Sequence, residues 1–196
     1  MLHTVGILSL QGAFNKHAQV LERLKVDYRY VKYPTDLINC KSLIIPGGES
    51  SSLTKLILKN NLYDYLRDFA ENKPVFGTCA GLIILSKIDT ALVKGLGILD
   101  INIERNGWGS QINSFKQNVS APNICNSKIN AVFIRAPRIA KVNDKNIKIL
   151  SSLNDEPILL QKKKCLGATF HPELTSNLTL HKYFIKMIDE KIITKS

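Results

Sequence analysis

The 196-residue sequence has no long apolar run, no CxxC pair and no segment rich in proline, glycine or serine. A membrane-spanning helix needs about 20 consecutive apolar residues, so no membrane association is expected. The four cysteines are widely spaced, which argues against a metal site and against a disulfide framework. Since neither a linker nor an internal repeat is visible, we expect one domain over residues 1–196.

The chain is also short of acidic residues. Its 27 lysines and arginines outnumber its 16 aspartates and glutamates, and the net charge is +11. Such a charge is compatible with a nucleic acid or another acidic partner. However, the lysines are scattered, and the one tight run, Lys162–Lys164, contains no aromatic residues on which bases could stack. The sequence therefore favours a solvated basic surface, a hairpin turn at the lysine run and no nucleic-acid partner.

The first ten residues are apolar but lack the basic leader and the cleavage site of a signal peptide. They run directly into Gln11 and Gly12, which predicts a first strand rather than a targeting segment. Without an export signal, we expect a cytoplasmic protein with reduced thiols.

Short apolar runs alternate with helical spacing in the first half of the chain. The predicted elements are strands at Thr4–Leu10, Tyr28–Tyr33, Ser42–Ile45 and ending at Thr78, and helices at Phe14–Leu24, Leu53–Phe69 and from Ala80. This alternation predicts a parallel sheet covered by helices on both faces, which is a three-layer α/β fold.

The second half of the sequence is mostly strand-like. The predicted strands are Ile98–Glu104, Gln111–Phe115, Ala131–Ile134, Ile147–Leu150, Pro157–Gln161 and Leu166–Phe170, and a final helix covers Thr175–Ile193. In parallel α/β sheets, ligands bind beyond the carboxyl ends of the strands. The segments Leu10–Gly12, Pro46–Glu49 and Gly77–Cys79 follow three such ends, so we expect them to meet at one rim.

Cys79 lies in the segment Gly77-Thr78-Cys79-Ala80-Gly81, between an apolar strand and an apolar helix. Small residues on both sides allow a sharp turn that exposes its central residue at the start of the helix. A helix N-terminus favours the thiolate, which is the nucleophilic form of cysteine. The alternative is a buried core cysteine without chemical function.

His171 is the strongest candidate for the base that such a nucleophile needs. It follows a predicted strand and begins the segment His171-Pro172-Glu173. Glu173 could accept the Nδ1 proton, which would leave Nε2 free to face Cys79. The alternative is that Glu173 caps the last helix. The other histidines, His3, His17 and His181, are interpreted as surface or hydrogen-bonded core residues.

Gly47 and Gly48 follow the third strand and allow a ligand to approach the backbone closely. Their N–H groups could face a developing oxyanion. The alternative is a plain strand-to-helix turn in which Ser50 or Ser51 caps the helix.

Several segments together resemble one known family. They are Gly6–Phe14 with His17, Pro46–Ser51, Gly77–Ile83, Arg105–Asn106 with Gly109 and Gln111, Phe133–Pro137 and Phe170–Leu174. This set is similar to the class I (triad) glutamine amidotransferases, and more closely to the glutaminase subunits of pyridoxal 5'-phosphate synthase, the PdxT/Sno family. The resemblance covers nearly the whole chain and implies a flavodoxin-like αβα fold with a central, mostly parallel sheet.

The resemblance implies that L-glutamine is hydrolysed to L-glutamate and ammonia without a metal or an organic cofactor. Cys79 would be the nucleophile, His171 the acid and base, and Glu173 its orienting group. The expected glutamine-binding residues are Gly47, Gly48, Glu49, Arg105, Ile134 and Arg135, and the expected oxyanion donors are the N–H groups of Gly48 and Ala80. The choice between Arg105 and Arg135 for the substrate carboxylate stays open.

The resemblance also implies a partner that uses the ammonia. This would be a (β/α)8-barrel synthase subunit in a large hetero-oligomer, with Gln11 at the shared face and with low glutaminase activity before docking. The chain departs from the family at Ser110, where an arginine is common, and at Ser51, where threonine is common. The alternatives are a γ-glutamyl hydrolase, a peptidase, a DJ-1-like protein and a nucleic-acid or regulatory binding module.

Overall fold

The computed structural model describes residues 4–105, 107 and 114–189 of the chain. The first half contains, in order, β1 (Val5–Leu8), α1 (Phe14–Arg23), β2 (Tyr28–Val31), β3 (Ser42–Ile45), α2 (Ser50–Lys59), α3 (Tyr63–Asn72), β4 (Val75–Thr78) and α4 (Ala80–Leu85). The second half contains β5 (Ile101–Glu104), β6 (Ser114–Val119), β7 (Ile129–Ile134), β8 (Arg138–Val142), β9 (Lys148–Leu153), β10 (Glu156–Lys162), β11 (Cys165–Ala168) and α5 (Thr179–Asp189). Short 3-10 helices lie at Pro34–Leu37 and Pro172–Leu174.

Seven strands form the central sheet in the order β2-β1-β3-β4-β11-β10-β9. The pairs from β2 to β11 are parallel, and the last two pairs, β11–β10 and β10–β9, are antiparallel. Strands β1, β3, β4 and β11 are buried along their whole length, because helices cover both faces of the sheet. The predicted, mostly parallel sheet is confirmed.

The hydrophobic core lies on the two faces of this sheet. One cluster includes Leu53 of α2, Leu66 of α3 and Leu82 of α4. The other cluster includes Leu21 of α1 and Phe184 of α5. This gives the three layers of the predicted αβα arrangement. No helix in the described part of the chain is long and apolar enough to span a membrane.

Some boundaries differ from the prediction. The predicted helix over Leu53–Phe69 is two helices, because Asn61 adopts a left-handed conformation with φ of 53° between α2 and α3. The last helix begins at Thr179 rather than at Thr175, since the Pro172–Leu174 turn comes first. Strand β8 was not predicted, and it pairs with β5 in a separate two-stranded sheet. The predicted hairpin at Lys162–Lys164 is confirmed by the antiparallel pairing of β10 and β11.

The sheet topology brings four loops to one edge. Strands β1, β3, β4 and β11 are consecutive parallel neighbours, so their carboxyl ends point the same way. The residues that follow these strands include Gln11, Gly47, Cys79 and His171. The predicted common rim is present.

Candidate active site

Cys79 lies at the turn between β4 and α4, with a φ of 49°. A non-glycine residue in this region is strained, and such strain is often found at functional sites. Both flanking glycines are required by packing, because a Cβ on Gly81 would collide with the carbonyl of Ile45 and one on Gly77 would lie 2.5 Å from the Leu85 side chain. The turn therefore fixes the direction of the Cys79 side chain.

The His171 imidazole lies between Glu173 and Cys79. Its Nδ1 lies 2.7 Å from Oε1 of Glu173, and Cys79 is close enough to help raise the pKa of the ring. Since Nδ1 faces Glu173, Nε2 is the nitrogen that faces Cys79. The ring also packs against Gly47, where an added Cβ would overlap it. The structure thus brings the three predicted triad residues together in the predicted order.

A backbone hydrogen bond and a short helix hold the His171 segment in place. The backbone N–H of His171 donates to the carbonyl of Val132 in β7, at 2.8 Å. Pro172 begins the short 3-10 helix that carries Glu173, and this places the carboxylate under the imidazole. Glu173 is 4% exposed, so it does not cap a surface helix as the alternative suggested.

The charges within this group support one another. Burial lowers the pKa of His171, but the interactions with Cys79 and Glu173, including the hydrogen bond that His171 donates to the Glu173 carboxylate, outweigh burial and raise the pKa to about 10. Burial raises the pKa of Glu173, yet the electrostatic effect of the adjacent His17 ring, together with the hydrogen bond and the positive charge of His171, outweighs burial and lowers this pKa. His171 is therefore an imidazolium and Glu173 a carboxylate at neutral pH, which suits a thiolate partner.

The loop after β3 is held from two sides. The Gly47 N–H donates to Thr78 Oγ1 at 3.1 Å, and the Gln11 side chain pairs with the backbone of Glu49 through distances of 3.0 and 3.3 Å. Because Gly47 N–H is already engaged, Gly48 and Ala80 remain the predicted oxyanion donors. A Cβ on Gly48 would lie 2.5 Å from the Gln11 amide, so a larger residue there would displace the Gln11 side chain from this position.

Glu49 is the N-cap of α2, in place of the serines that the alternative named. Its carboxylate accepts hydrogen bonds from the backbone N–H groups of Ser51 and Ser52, at 3.1 and 2.6 Å. It also pairs with Arg105 at 2.9 Å. The hydrogen bond from the Ser52 backbone is the main cause that lowers the pKa of Glu49, to about 2. Glu49 is therefore charged at the mouth of the site.

A cavity of about 410 Å³ opens over Cys79 and contains every predicted substrate-binding residue. Its lining includes Gly47, Gly48, Glu49, Arg105, Ile134, Arg135 and His171. Arg135 has a φ of 44°, so a second strained residue borders the cavity. Among the described residues, no group of histidine, cysteine and acidic side chains could hold a metal ion. Asn106, Gly109, Ser110 and Gln111 lie outside the described residues, as does His3.

His17 and His181 are closer to the site than the sequence suggested. Both are fully buried, and Nε2 of His17 lies 3.5 Å from Oε2 of Glu173. Nδ1 of His17 lies 2.9 Å from Nε2 of His181. The available signal was their helical spacing, since His17 shares the apolar face of α1 with Leu21 and His181 that of α5 with Phe184. Both are hydrogen-bonded core residues, and His17 also lies against the carboxylate of the predicted triad.

The fold and this cavity define the class of protein. A solved structure described as a glutamine amidotransferase superposes with a TM-score of 0.88 and 36% identity, covering 94% of this chain and 98% of that one. The protein thus has the class I glutamine amidotransferase fold.

The sequence then gives the family. Residues 7–190 match the SNO glutamine amidotransferase family, and the chain belongs to it. Among curated proteins, pyridoxal 5'-phosphate synthase subunit PdxT of Francisella philomiragia is 45% identical over 94% of this chain and 98% of its own. The same subunit of Thermosipho africanus is 39% identical over 94% of this chain and 98% of its own. The protein is therefore a glutamine-hydrolysing enzyme, and the alternative classes are not supported.

Proposed function

We propose that this protein is the glutaminase subunit of a pyridoxal 5'-phosphate synthase and that Cys79, His171 and Glu173 hydrolyse L-glutamine. The main support is that Cys79 and His171 line one cavity, with the Glu173 carboxylate 2.7 Å behind the His171 ring. The PdxT relatives, which this chain matches over nearly their full length, support the role in vitamin B6 synthesis.

The reaction begins when the Cys79 thiolate attacks the side-chain amide carbon of glutamine. The oxyanion that forms is bound by the N–H groups of Gly48 and Ala80, and such a donor contributes about 3–4 kcal/mol to the transition state in other enzymes. The His171 imidazolium then gives its proton to the departing ammonia, which leaves a thioester on Cys79.

A water molecule releases the product. His171, now neutral, takes a proton from this water as it attacks the thioester, and glutamate leaves while the thiolate and imidazolium are restored. Glu173 remains a carboxylate throughout, and it stabilises the imidazolium at both stages.

The charged side chains at the cavity mouth complement the α-ammonium and α-carboxylate groups of the substrate, L-glutamine. The Glu49 carboxylate suits the α-ammonium group, and a guanidinium suits the α-carboxylate because it can bind it through two hydrogen bonds. Arg105 is already paired with Glu49 at 2.9 Å, whereas Arg135 has no ion-pair partner among the described residues. We therefore assign the α-carboxylate to Arg135 and an orienting role on Glu49 to Arg105.

Replacing Arg135 by methionine is expected to weaken glutamine binding roughly 10- to 100-fold, because a charge-assisted hydrogen-bond pair is lost. The dissociation constant can be measured by calorimetry in the Cys79→Ala background, where glutamine is not consumed. Arg105→Met is the matched control and should weaken binding less. If Arg105→Met had the larger effect, the two roles would be exchanged.

The ammonia needs an acceptor, and we propose a (β/α)8-barrel synthase subunit in a large assembly. Gln11 would lie at the shared face. Its side chain holds the backbone of Glu49, so a partner that contacts Gln11 also acts on Gly48. This supports a glutaminase whose activity rises on docking.

The proposed function predicts that ammonia release from glutamine increases when the cognate synthase subunit is added. Gln11→Ala is expected to reduce this activation at least about tenfold, because the contact between docking surface and oxyanion loop is lost. Ammonia production with and without the synthase measures both effects, and size-exclusion chromatography reports complex formation. If the synthase activated the Gln11→Ala variant fully, Gln11 would not couple docking to the oxyanion loop. If the wild-type protein released no ammonia from glutamine either with or without the synthase, the proposed function would be refuted.

A further inference from the structure

We infer that His17 is a positioning residue that orients the Glu173 carboxylate, and that His181 selects the tautomer in which His17 does so. This inference rests on the proposed role of Cys79, His171 and Glu173 as the triad. It adds two buried histidines behind the triad, on helices α1 and α5.

The first observation concerns the outer oxygen of Glu173. Oε1 bonds His171, but Oε2 is buried and has no hydrogen-bond partner in the described part of the protein. Burying a carboxylate oxygen without a hydrogen-bond donor lowers the stability of the folded protein. Nε2 of His17, at 3.5 Å, is the basic nitrogen that faces it, and both side chains have no exposed surface. This ring is the group placed to compensate the charge on Oε2.

The second observation fixes the direction of the protons. If His17 carried its proton on Nδ1 and donated to His181, the Nδ1 proton of His181 would be buried without an acceptor, since that atom has no hydrogen-bond partner among the residues that the structure describes. The lone pair of His17 Nε2 would then also face the Glu173 oxygen. In the opposite arrangement, His181 donates from Nε2 to His17, and His17 carries its proton on Nε2, on the edge that faces Thr78 Oγ1 and the Glu173 oxygen. The second arrangement leaves only a bare lone pair on His181, which costs less than a buried, unpaired N–H.

The third observation links the same ring to the oxyanion loop. Nε2 of His17 also lies 3.3 Å from Oγ1 of Thr78, and that oxygen accepts the N–H of Gly47 at 3.1 Å. One edge of the His17 ring therefore faces both the triad carboxylate and the threonine that holds the glycine loop. Its position affects both parts of the site.

His17 acts as a neutral dipole and not as a cation. Burial is the main cause that lowers the pKa of His17. The charge of Glu173 acts in the opposite direction, and the charge of His171 lowers the pKa further. Burial likewise lowers the pKa of His181 to about 3. The other groups against His17 are Thr78 and the ring of Phe76, which carry no charge. Both histidines therefore stay neutral where the enzyme would work.

Two amide substitutions separate positioning from packing, because glutamine places its amide near the Nε2 position of histidine and asparagine near Nδ1. His17→Gln keeps a donor towards Glu173, so kcat should stay within about threefold of wild type. His17→Asn loses that donor, and kcat should fall about 10- to 100-fold, the usual effect of removing an orienting partner behind a functional group. The KM for glutamine should change little in both variants, since His17 is fully buried.

The pH profile is a readout that simple loss of packing would not move. With a poorly oriented Glu173, His171 holds its proton less tightly, so the alkaline limb of kcat/KM should shift to lower pH in His17→Asn and stay in place in His17→Gln. All assays use the protein with its cognate synthase subunit. Equal losses in the two variants, no loss in either, or an unmoved alkaline limb would overturn the inference.

His181 provides an independent pair if a His17 variant fails to fold. His181→Gln keeps the donor to His17 and should resemble wild type, whereas His181→Asn should reproduce the loss and the pH shift. The reverse order, or no difference between them, would contradict the role of His181. If the Cys79→Ala variant is inactive while all four histidine variants match wild type, this inference fails and the triad stands. If Cys79→Ala remains active, the triad itself fails.

Discussion

The Cys79→Ala variant is expected to lose glutaminase activity by roughly 10⁴-fold or more, because no other group in the cavity can form the thioester. The fold should be preserved. The side chain is small, and alanine accepts the backbone φ of 49° no worse than cysteine does. Ammonia release in the presence of the synthase, together with thermal unfolding of the purified variant, tests both statements.

Cys125→Ala is the matched control for this experiment. Cys125 is partly exposed, its thiol bonds the carbonyl of Ser127, and it does not line the cavity over Cys79, so its removal should leave activity unchanged. Cys40 and Cys165 are less suitable because they are buried in the core. Retained turnover in Cys79→Ala, or equal losses in the two variants, would disprove the assignment of the nucleophile.

His171→Asn is expected to lower kcat by about 10³- to 10⁴-fold with the fold intact. Asparagine keeps a donor near the Nδ1 position that bonds Glu173, but it has no group at the Nε2 position that faces Cys79. The variant therefore removes the proton carrier while it retains the contact that holds the loop. Single-turnover formation and hydrolysis of the thioester would show that both steps are slowed. A rate within tenfold of wild type would contradict the role of His171.

The same variant changes how stability depends on pH. The pKa of His171 in the folded protein is about 10, above the value of 6.5 for a free imidazole. A raised pKa means that the contribution to the free energy of unfolding is fully present below pH 6.5 and is lost as pH rises through about 10. Denaturant unfolding between these values should show this loss in wild type, and His171→Asn should lack it. An equal slope in both proteins would show that His171 is not protonated in the folded state.

Part of the site follows from local sequence. The turn around Cys79 depends on the small residues next to it. The position of Glu173 under His171 depends on Pro172, the one residue between them. Short segments therefore encode both features. The rim was also predictable, because parallel strands that follow βα alternation deliver their carboxyl ends to one edge. The limits and number of helices and strands were predicted less accurately, as the break between α2 and α3 at Asn61 and the unpredicted strand β8 show.

Other features of the site could not be derived from local pattern. Glu49 caps α2 because its carboxylate accepts the backbone N–H groups of Ser51 and Ser52. Its pairing with Arg105, which lies in a distant segment, does not follow from the local sequence. The contact between His17 and His181 joins residues 164 positions apart. Helical spacing predicts that each histidine is buried, but not which polar group it meets.

The sequence alone determined the chemistry of this protein: a cysteine at a strained turn, a histidine with its carboxylate close behind it, and glycines where the backbone must approach a ligand. These depend on bonded neighbours and on conformations that few residues adopt. Only the tertiary structure decided what surrounds them, including the Glu49–Arg105 pair and the two histidines behind Glu173. Those contacts depend on the order of strands in the sheet and on which helices share a face, so they form only when distant segments pack together.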